Sequence, residues 1–501
     1  MNTSAPLSVE SAEQRVLGWQ TKLHRWASED EHKRFGDLFN LVHDPATLLV
    51  AWEQVKRNRG SKTAGVDGDT RARMEQRSIE NVLGELRKEL KDATYAPLPV
   101  REHAIPKRSG QMRRLGIPTL RDRIVQMAAK LVLEPIFEAG FSPTSYGFRP
   151  GRRTQDAIED VRLLINYPRS YEWVIEGDVE DCFGSIHHGL LMAEVRTRVT
   201  DKRVLRLVRQ FLAAGVLREQ GSVAAAPSGT PQGAILSPLL ANIALSVLDR
   251  RFEAAWRGSY WERRRQRNRG QATYRAVRYA DDFVVLVKGT REQAQAIKEQ
   301  TAEFMTERLR LTLSPEKTRI THVDDGFDFL GFRIKRLTRP GRTPVAYTFP
   351  SDRALRDIMH RIKELTGRST TSLSLDQLIR ALNPALRGWT NYYRHAASKR
   401  CFNYLDHYLW WCLVRWHRKK YPRLTWKQIR RKYWGHDWIS DRGLRLARPG
   451  AVPVTRYRYR GHRIPTPWTD NGRPRPPGGP PVAATTALRC NQRTSCGEPG
   501  A

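Results

Sequence analysis

The stretch RAVRYADDFVVLVKG, residues 275–289, sets two short runs rich in Val and aromatic residues on either side of an acidic pair. Runs of that kind separated by a tight polar turn predict a β-hairpin, RAVRYA (275–280) against FVVLVKG (283–289), with Asp281 and Asp282 at its tip. An Asp pair in a turn has a plain explanation, since Asp bonds its own backbone and tolerates unusual φ. A third carboxylate changes the reading. The strand-like run WVIEGD (173–178) ends on Asp178, about one hundred residues upstream of the pair, and strand ends within one sheet can converge. Three carboxylates supply the hard oxygens that magnesium prefers. Two such cations, about 3.5 to 4 Å apart, are what phosphoryl transfer from a nucleoside triphosphate requires. For Asp178 the alternative is a capping role at a helix starting near Asp181.

Outward from this hairpin, residues 96–335 alternate apolar strand-like runs with helical stretches, the pattern of an α+β domain. Residues 1–95 read as a helical N-terminal extension, with a helical apolar rhythm around Leu38 to Trp52. The polar, basic break RNRGSKTAGVDGDT (57–70) follows and suits RNA. Beyond Arg353 the period becomes helical throughout. Leu355, Ile358, Met359, Ile362 and Leu365 fall on one face, and Ser374 with Gln377 forms a capping-box signature, so residues 345–440 are expected to be a helical domain. Residues 441–501 are Arg- and Pro-rich, with TRYRYRGHRIPTPW at 455–468, and the basic segment from about 440 to 468 either binds DNA or serves as a solvated linker. The final 30 or so residues are expected to be disordered.

The chain carries 87 Lys and Arg against 52 Asp and Glu, a net charge of +35. Such a field attracts polyanions, and 14 Trp and 16 Tyr among the basic residues favour nucleic acid over an acidic protein or an anionic membrane. The run WERRRQRNRG (261–270) and the segment 410–434 interleave cations with Trp. Leu405, Leu409, Cys412, Leu413 and Trp416 share a helical face, so most of those aromatics are expected in a core and the opposite cations toward RNA. Five scattered Cys, at 182, 401, 412, 490 and 496, make no C-x-x-C pair and fit a reducing compartment. With no signal-like N-terminus and no unbroken apolar run of roughly 18 residues, a cytoplasmic protein without a membrane partner is expected.

The tetrad YADD (279–282), the block GDVEDCFGSIHH (177–188) and SGTPQGAILSPLLANIALSVLD (228–249) together resemble the motifs of reverse transcriptases, in that family's order. The likeness continues through IPKRSGQMRRLGIPTLRDRIVQ (105–126), SYGFRPGRRTQDA (145–157), LSPEKTRITH (313–322) and FDFLGF (327–332). With RALNPALRGWTNYYRHA (380–396) it is similar to the maturase region of group II intron proteins, and it covers about residues 35–465.

The resemblance implies a right-hand polymerase: fingers, a palm built on an antiparallel sheet, and an α-helical thumb or maturase domain. Its activity would be RNA-directed DNA synthesis with assistance to intron splicing, the chemistry of splicing belonging to the RNA. Two Mg2+ ions would sit on Asp178, Asp281 and Asp282, with Lys317 as general acid for the departing pyrophosphate. Lys107 and Arg113 would hold the triphosphate, Phe183 would exclude a 2′-hydroxyl, and Gln232 and Gly233 would pack against the same nucleotide. FLGF (329–332) would grip the primer. The implied partners are deoxynucleoside triphosphates, an RNA template with its DNA primer, intron RNA and target DNA; the oligomeric state is left open. Arg114, Gln155, Glu180, Asp181 and Gly184 depart from the usual pattern without removing a metal ligand. The Cys-rich endonuclease module of many relatives is not expected, because Cys490 and Cys496 lack partnering pairs and a His cluster.

Three other readings stand beside this one. A splicing cofactor without polymerase activity is disfavoured by the intact Asp triad, and a retron-like enzyme by the maturase-like stretch. An RNA-templated RNA polymerase is disfavoured by Phe183.

Overall fold

The computed structural model describes residues 7–106, 110, 112–217, 222–224, 228–338, 340–434, 438–461 and 464–469. Helix Val9–Glu29 starts at Ser8, whose hydroxyl accepts the Ser11 N–H, and packs on helices Pro45–Arg57 and Leu120–Glu138. Helix Leu120–Glu138 is buried nearly all round, taking Asp122, Arg123, Gln126 and Glu138 inside along with its apolar residues. Together with helices His188–Arg196, Lys202–Ala213 and the first turns of Ser237–Trp256 it forms the first hydrophobic core.

The second element of the fold is a four-stranded antiparallel sheet in the order Thr273–Tyr279, Asp282–Lys288, Trp173–Asp178, Arg319–His322. Successive side chains on a strand point to opposite faces, and here both faces are covered. Val174, Val284 and Leu286 enter one core with helix Thr154–Ile165. Ile175, Phe283, Val285 and Val287 enter another with helices Ser237–Trp256 and Arg291–Phe304. That is why FVVLV is unbroken by polar residues: a strand buried on both sides loses its alternation.

A smaller sheet pairs Val100–Pro106 antiparallel with Met112–Ile117 and parallel with Val216–Leu217. A third joins Phe327–Phe329, Phe332–Leu337 and Val345–Pro350. The boundary expected between 335 and 345 therefore falls inside a sheet, because Leu337 pairs with Val345, and the helical region begins at Asp352. There, helices Asp352–Leu365, Leu375–Tyr393 and Lys399–Lys420 share a fourth core around Ile362, Leu382, Leu409 and Trp416. Each such Leu or Ile is worth roughly 1.5–3 kcal/mol of burial. Ser374 and Gln377 close the capping box read from the sequence.

Residues 452–461 and 464–469 do not form a solvated linker. They run back across helix Thr154–Ile165, with the Tyr457 hydroxyl donating to Asp156 at 2.8 Å and Arg460 pairing with the same carboxylate at 2.5 Å. Tyr459 donates to Asp160 at 3.3 Å. Ile464 and Trp468 are buried, Trp468 against His24 of the first helix. The tail expected to be disordered, from residue 470 on, lies outside the described residues. No helix among the described residues is long and apolar enough to cross a membrane.

Candidate active site

The hairpin predicted at 275–289 forms with a two-residue turn, Ala280–Asp281, between Tyr279 and Asp282. Ala280 sits at φ 60°, a conformation a side chain makes costly. On the neighbouring strand Asp178 stands directly opposite Asp282 in register, so two strand ends bring the carboxylates together as their sequence positions suggested. Asp178 is not a helix cap; that position, ahead of the short helix Cys182–Ser185, belongs to Asp181.

The electrostatics record the crowding. Burial, then the carboxylates of Asp178, Asp281 and Glu176, push the Asp282 carboxyl up to about 7, against the pull of Lys317. Burial and Asp178 also raise Asp281, opposed by its own backbone N–H and by Arg113 and Lys317. The ammonium of Lys317 lies 2.6 Å from Asp178 Oδ2. Burial and the nearby Asp281 push the Cys182 thiol up to about 12, leaving it inert at neutral pH. Among the described residues no three His, Cys, Asp or Glu converge closely enough to enclose an ion by themselves. The donor set nonetheless fits a cation, whose charge would relieve the repulsion that raises Asp281 and Asp282.

A cleft of about 850 Å³ opens over these groups, lined by Asp178, Asp281, Lys317, Arg113, Phe183 and Gln232. Arg113 reaches it from strand Met112–Ile117; Lys107 lies outside the described residues. Gln232 and Gly233 are held to that strand by the Gly116 N–H, which donates to the Gln232 carbonyl at 2.9 Å. The loop 228–231 is tied down on its other side. Thr230 N–H donates to the Phe183 carbonyl at 2.7 Å and Gly229 N–H to Ile186 at 2.8 Å. A Cβ on Gly229 would stand 2.6 Å from the Gly184 carbonyl oxygen, and one on Gly184 would stand 2.2 Å from the Asp181 carboxylate, so the departures at Asp181 and Gly184 go together.

Two family profiles match the chain: "Reverse transcriptase (RNA-dependent DNA polymerase)" over residues 105–334 and "Group II intron, maturase-specific domain" over residues 355–434. Protein YkfC of Escherichia coli (strain K12) is 40% identical over 355 residues, covering 67% of this chain and 92% of YkfC. Group II intron-encoded protein LtrA of Lactococcus lactis subsp. cremoris is 31% identical over 453 residues, 76% of this chain and 74% of LtrA. The chain belongs to the group II intron-encoded reverse transcriptase and maturase family. A further relative, the uncharacterized 91 kDa protein in cob intron of Schizosaccharomyces pombe, is 30% identical over 71% of this chain and 50% of its own length.

The reverse transcriptase carries a supporting network that residue types alone did not reveal. Arg278, 2% exposed, forks onto Asp249 at 2.7 and 2.5 Å, and its remaining nitrogen donates to Asn242 at 3.0 Å and to the Ala280 carbonyl at 2.8 Å. Asn242 in turn donates to the Gly147 carbonyl at 2.9 Å. A Cβ on Gly147 would meet the Ala280 nitrogen at 2.3 Å, so only glycine lets these two backbones touch. In Gly147→Ala the acidic turn must move, and a displacement near 1 Å at reacting groups costs about 10²-fold in rate. Single-turnover extension by a folded Gly147→Ala protein is expected to show that loss; a wild-type rate would mean that the turn tolerates displacement.

Proposed function

We propose that this reverse transcriptase extends a DNA primer on an RNA template by two-metal phosphoryl transfer and helps its intron RNA reach a splicing-active shape. The observation that carries the reading is the register that sets Asp178 opposite Asp282, with Asp281 at the adjoining tip, beneath a cleft large enough for a nucleotide. Asp178, Asp281 and Asp282 would hold two magnesium ions, which when bound lower the pKa of the primer hydroxyl and neutralise the leaving pyrophosphate. Phosphate and water oxygens would complete the coordination. Arg113, with Lys107, would take the triphosphate, Arg113 as a bidentate fork. Phe183, half-buried at the cleft wall, would close the space beside the 2′ carbon, with Gln232 and Gly233 against the same nucleotide.

The sheet around 100–117 corresponds to fingers, the sheet bearing the carboxylates to the palm, and the helices from 352 to a thumb. FLGF forms the turn between two strands, and Tyr392 and Tyr393 of the thumb donate to the Leu330 and Gly331 carbonyls at 2.9 and 3.0 Å, fixing the primer grip to the helical domain. For intron RNA, helix Tyr260–Asn268 carries Arg263, Arg264, Arg265 and Arg267 with no buried residue, and Trp261 is 62% exposed with Arg264 over its ring. Target DNA would meet the basic segment from about 440 to 468.

The test is primer extension by the purified full chain on RNA with magnesium and deoxynucleotides, beside splicing of the intron RNA that encodes it. DNA synthesis and faster splicing are expected; a folded, RNA-binding chain that makes no DNA would leave only the splicing cofactor. Lys317→Ala is expected to lower kcat by about 10²-fold or more, the contribution of a general acid. An unchanged kcat would reduce Lys317 to a partner for Asp178.

A further inference from the structure

Phe148 stands out among the described residues as an exposed aromatic at a backbone position that should not hold one. It lies between buried Gly147 and buried Arg149, is itself 50% exposed, and has φ 57°, in the left-handed region. A bulky residue there is an outlier, and such strain persists only where the surroundings over-determine it. They do here. Gly147 is wedged against the catalytic turn. Arg149 is locked by a bidentate pair with Glu138 and by the carbonyls of Ser142 and Ser145. Tyr146 N–H donates to Arg278 at 2.8 Å.

The ring so presented meets Phe183 edge-to-face, with centroids 6.3 Å apart at 76°. Phe183 has its backbone fixed by the Thr230 N–H, and its inner side packs on the first core. Among the described residues, the aromatic ring in contact with it is that of Phe148. We infer that Phe148 is a positioning residue for sugar discrimination: held in a strained conformation, it backs the Phe183 ring and so sets how strictly a ribonucleotide is refused. The inference rests on the reading of Phe183 as the sugar gate.

The experiment is single-nucleotide incorporation on an RNA template, comparing kcat/KM for each deoxynucleotide with its ribonucleotide, in Phe148→Ala, Phe148→Gly, Phe148→Leu and Phe183→Ala. Phe148→Ala and Phe148→Gly are expected to lose about 10-fold or more of the preference, the scale on which a reshaped apolar pocket discriminates, through faster ribonucleotide use while deoxynucleotide kcat holds. Phe148→Leu, which keeps bulk, is expected to recover part of it. Phe148→Gly also relieves the positive φ and is expected to melt no lower than wild type, so lost selectivity cannot be put down to misfolding. If Phe183→Ala relaxes selectivity and the Phe148 variants do not, the inference is overturned and the gate stands. If Phe183→Ala leaves selectivity intact, the gate reading itself fails. Parallel loss for both sugars in the Phe148 variants would mark a merely structural residue and also overturn the inference.

Discussion

Primer extension falls by about 10³-fold or more in Asp281→Ala and in Asp282→Ala, as expected when several kcal/mol of transition-state charge stabilisation disappear at about 1.4 kcal/mol per tenfold. Stability moves the other way. The Asp282 carboxyl is pushed up to about 7 by burial and by its acidic neighbours, so in the absence of metal the folded chain keeps a proton that the unfolded chain has released. Stability then declines as pH rises from the ordinary carboxylate range through about 7. Asp282→Asn removes that decline. Melted in chelator, the variant is expected to exceed wild type at pH 8, by an amount on the order of a few kcal/mol at most, and to match it near pH 4. A variant that is inactive and also less stable at pH 8 would mean that the carboxylate holds the fold instead of straining it.

The second large effect concerns Arg278. In Arg278→Ala the Asp249 carboxylate, 5% exposed, loses its fork, and an uncompensated buried charge costs about 3–5 kcal/mol. Urea unfolding measures that directly. Arg278→Lys retains charge but cannot form the fork and also reach the Ala280 carbonyl, so extension is expected to drop by about 10²-fold even where the protein folds. The informative variant is the pair Arg278→Met with Asp249→Leu. Apolar replacement of a buried ion pair often restores stability; activity should not return, because nothing then holds the Ala280 carbonyl. Recovery of both would assign the pair to folding alone.

The separation between what pattern reveals and what it hides runs along these same residues. WVIEGD and the 275–289 hairpin were legible because β-branched runs around a polar turn are local signals, and the helix faces at 352–365 and 399–420 because burial imposes a 3.6-residue period. The likeness to reverse transcriptases then gathered residues that no local rule connects, such as Arg113, Phe183, Gln232 and Lys317, now found around one cleft. Asp249 and Arg278 were invisible: 29 positions apart, each is an ordinary charged residue until tertiary packing buries both. Gly147 and Phe148 likewise gain meaning only from what lies across from them. The docking of the TRYRYR stretch was hidden in the same way: of the two readings offered, DNA binding or a solvated linker, the linker falls because its tyrosines and Arg460 answer two acids, Asp156 and Asp160, about 300 positions away.

That returning segment also ties the two ends of the described chain together. Tyr457 and Arg460 close over Asp156, and Tyr459 reaches Asp160, two acids that are fully buried. Trp468 meets His24 of the first helix. Residues near the end of the described chain thus complete a surface laid down near its beginning, as a strap does when it is drawn across and fastened.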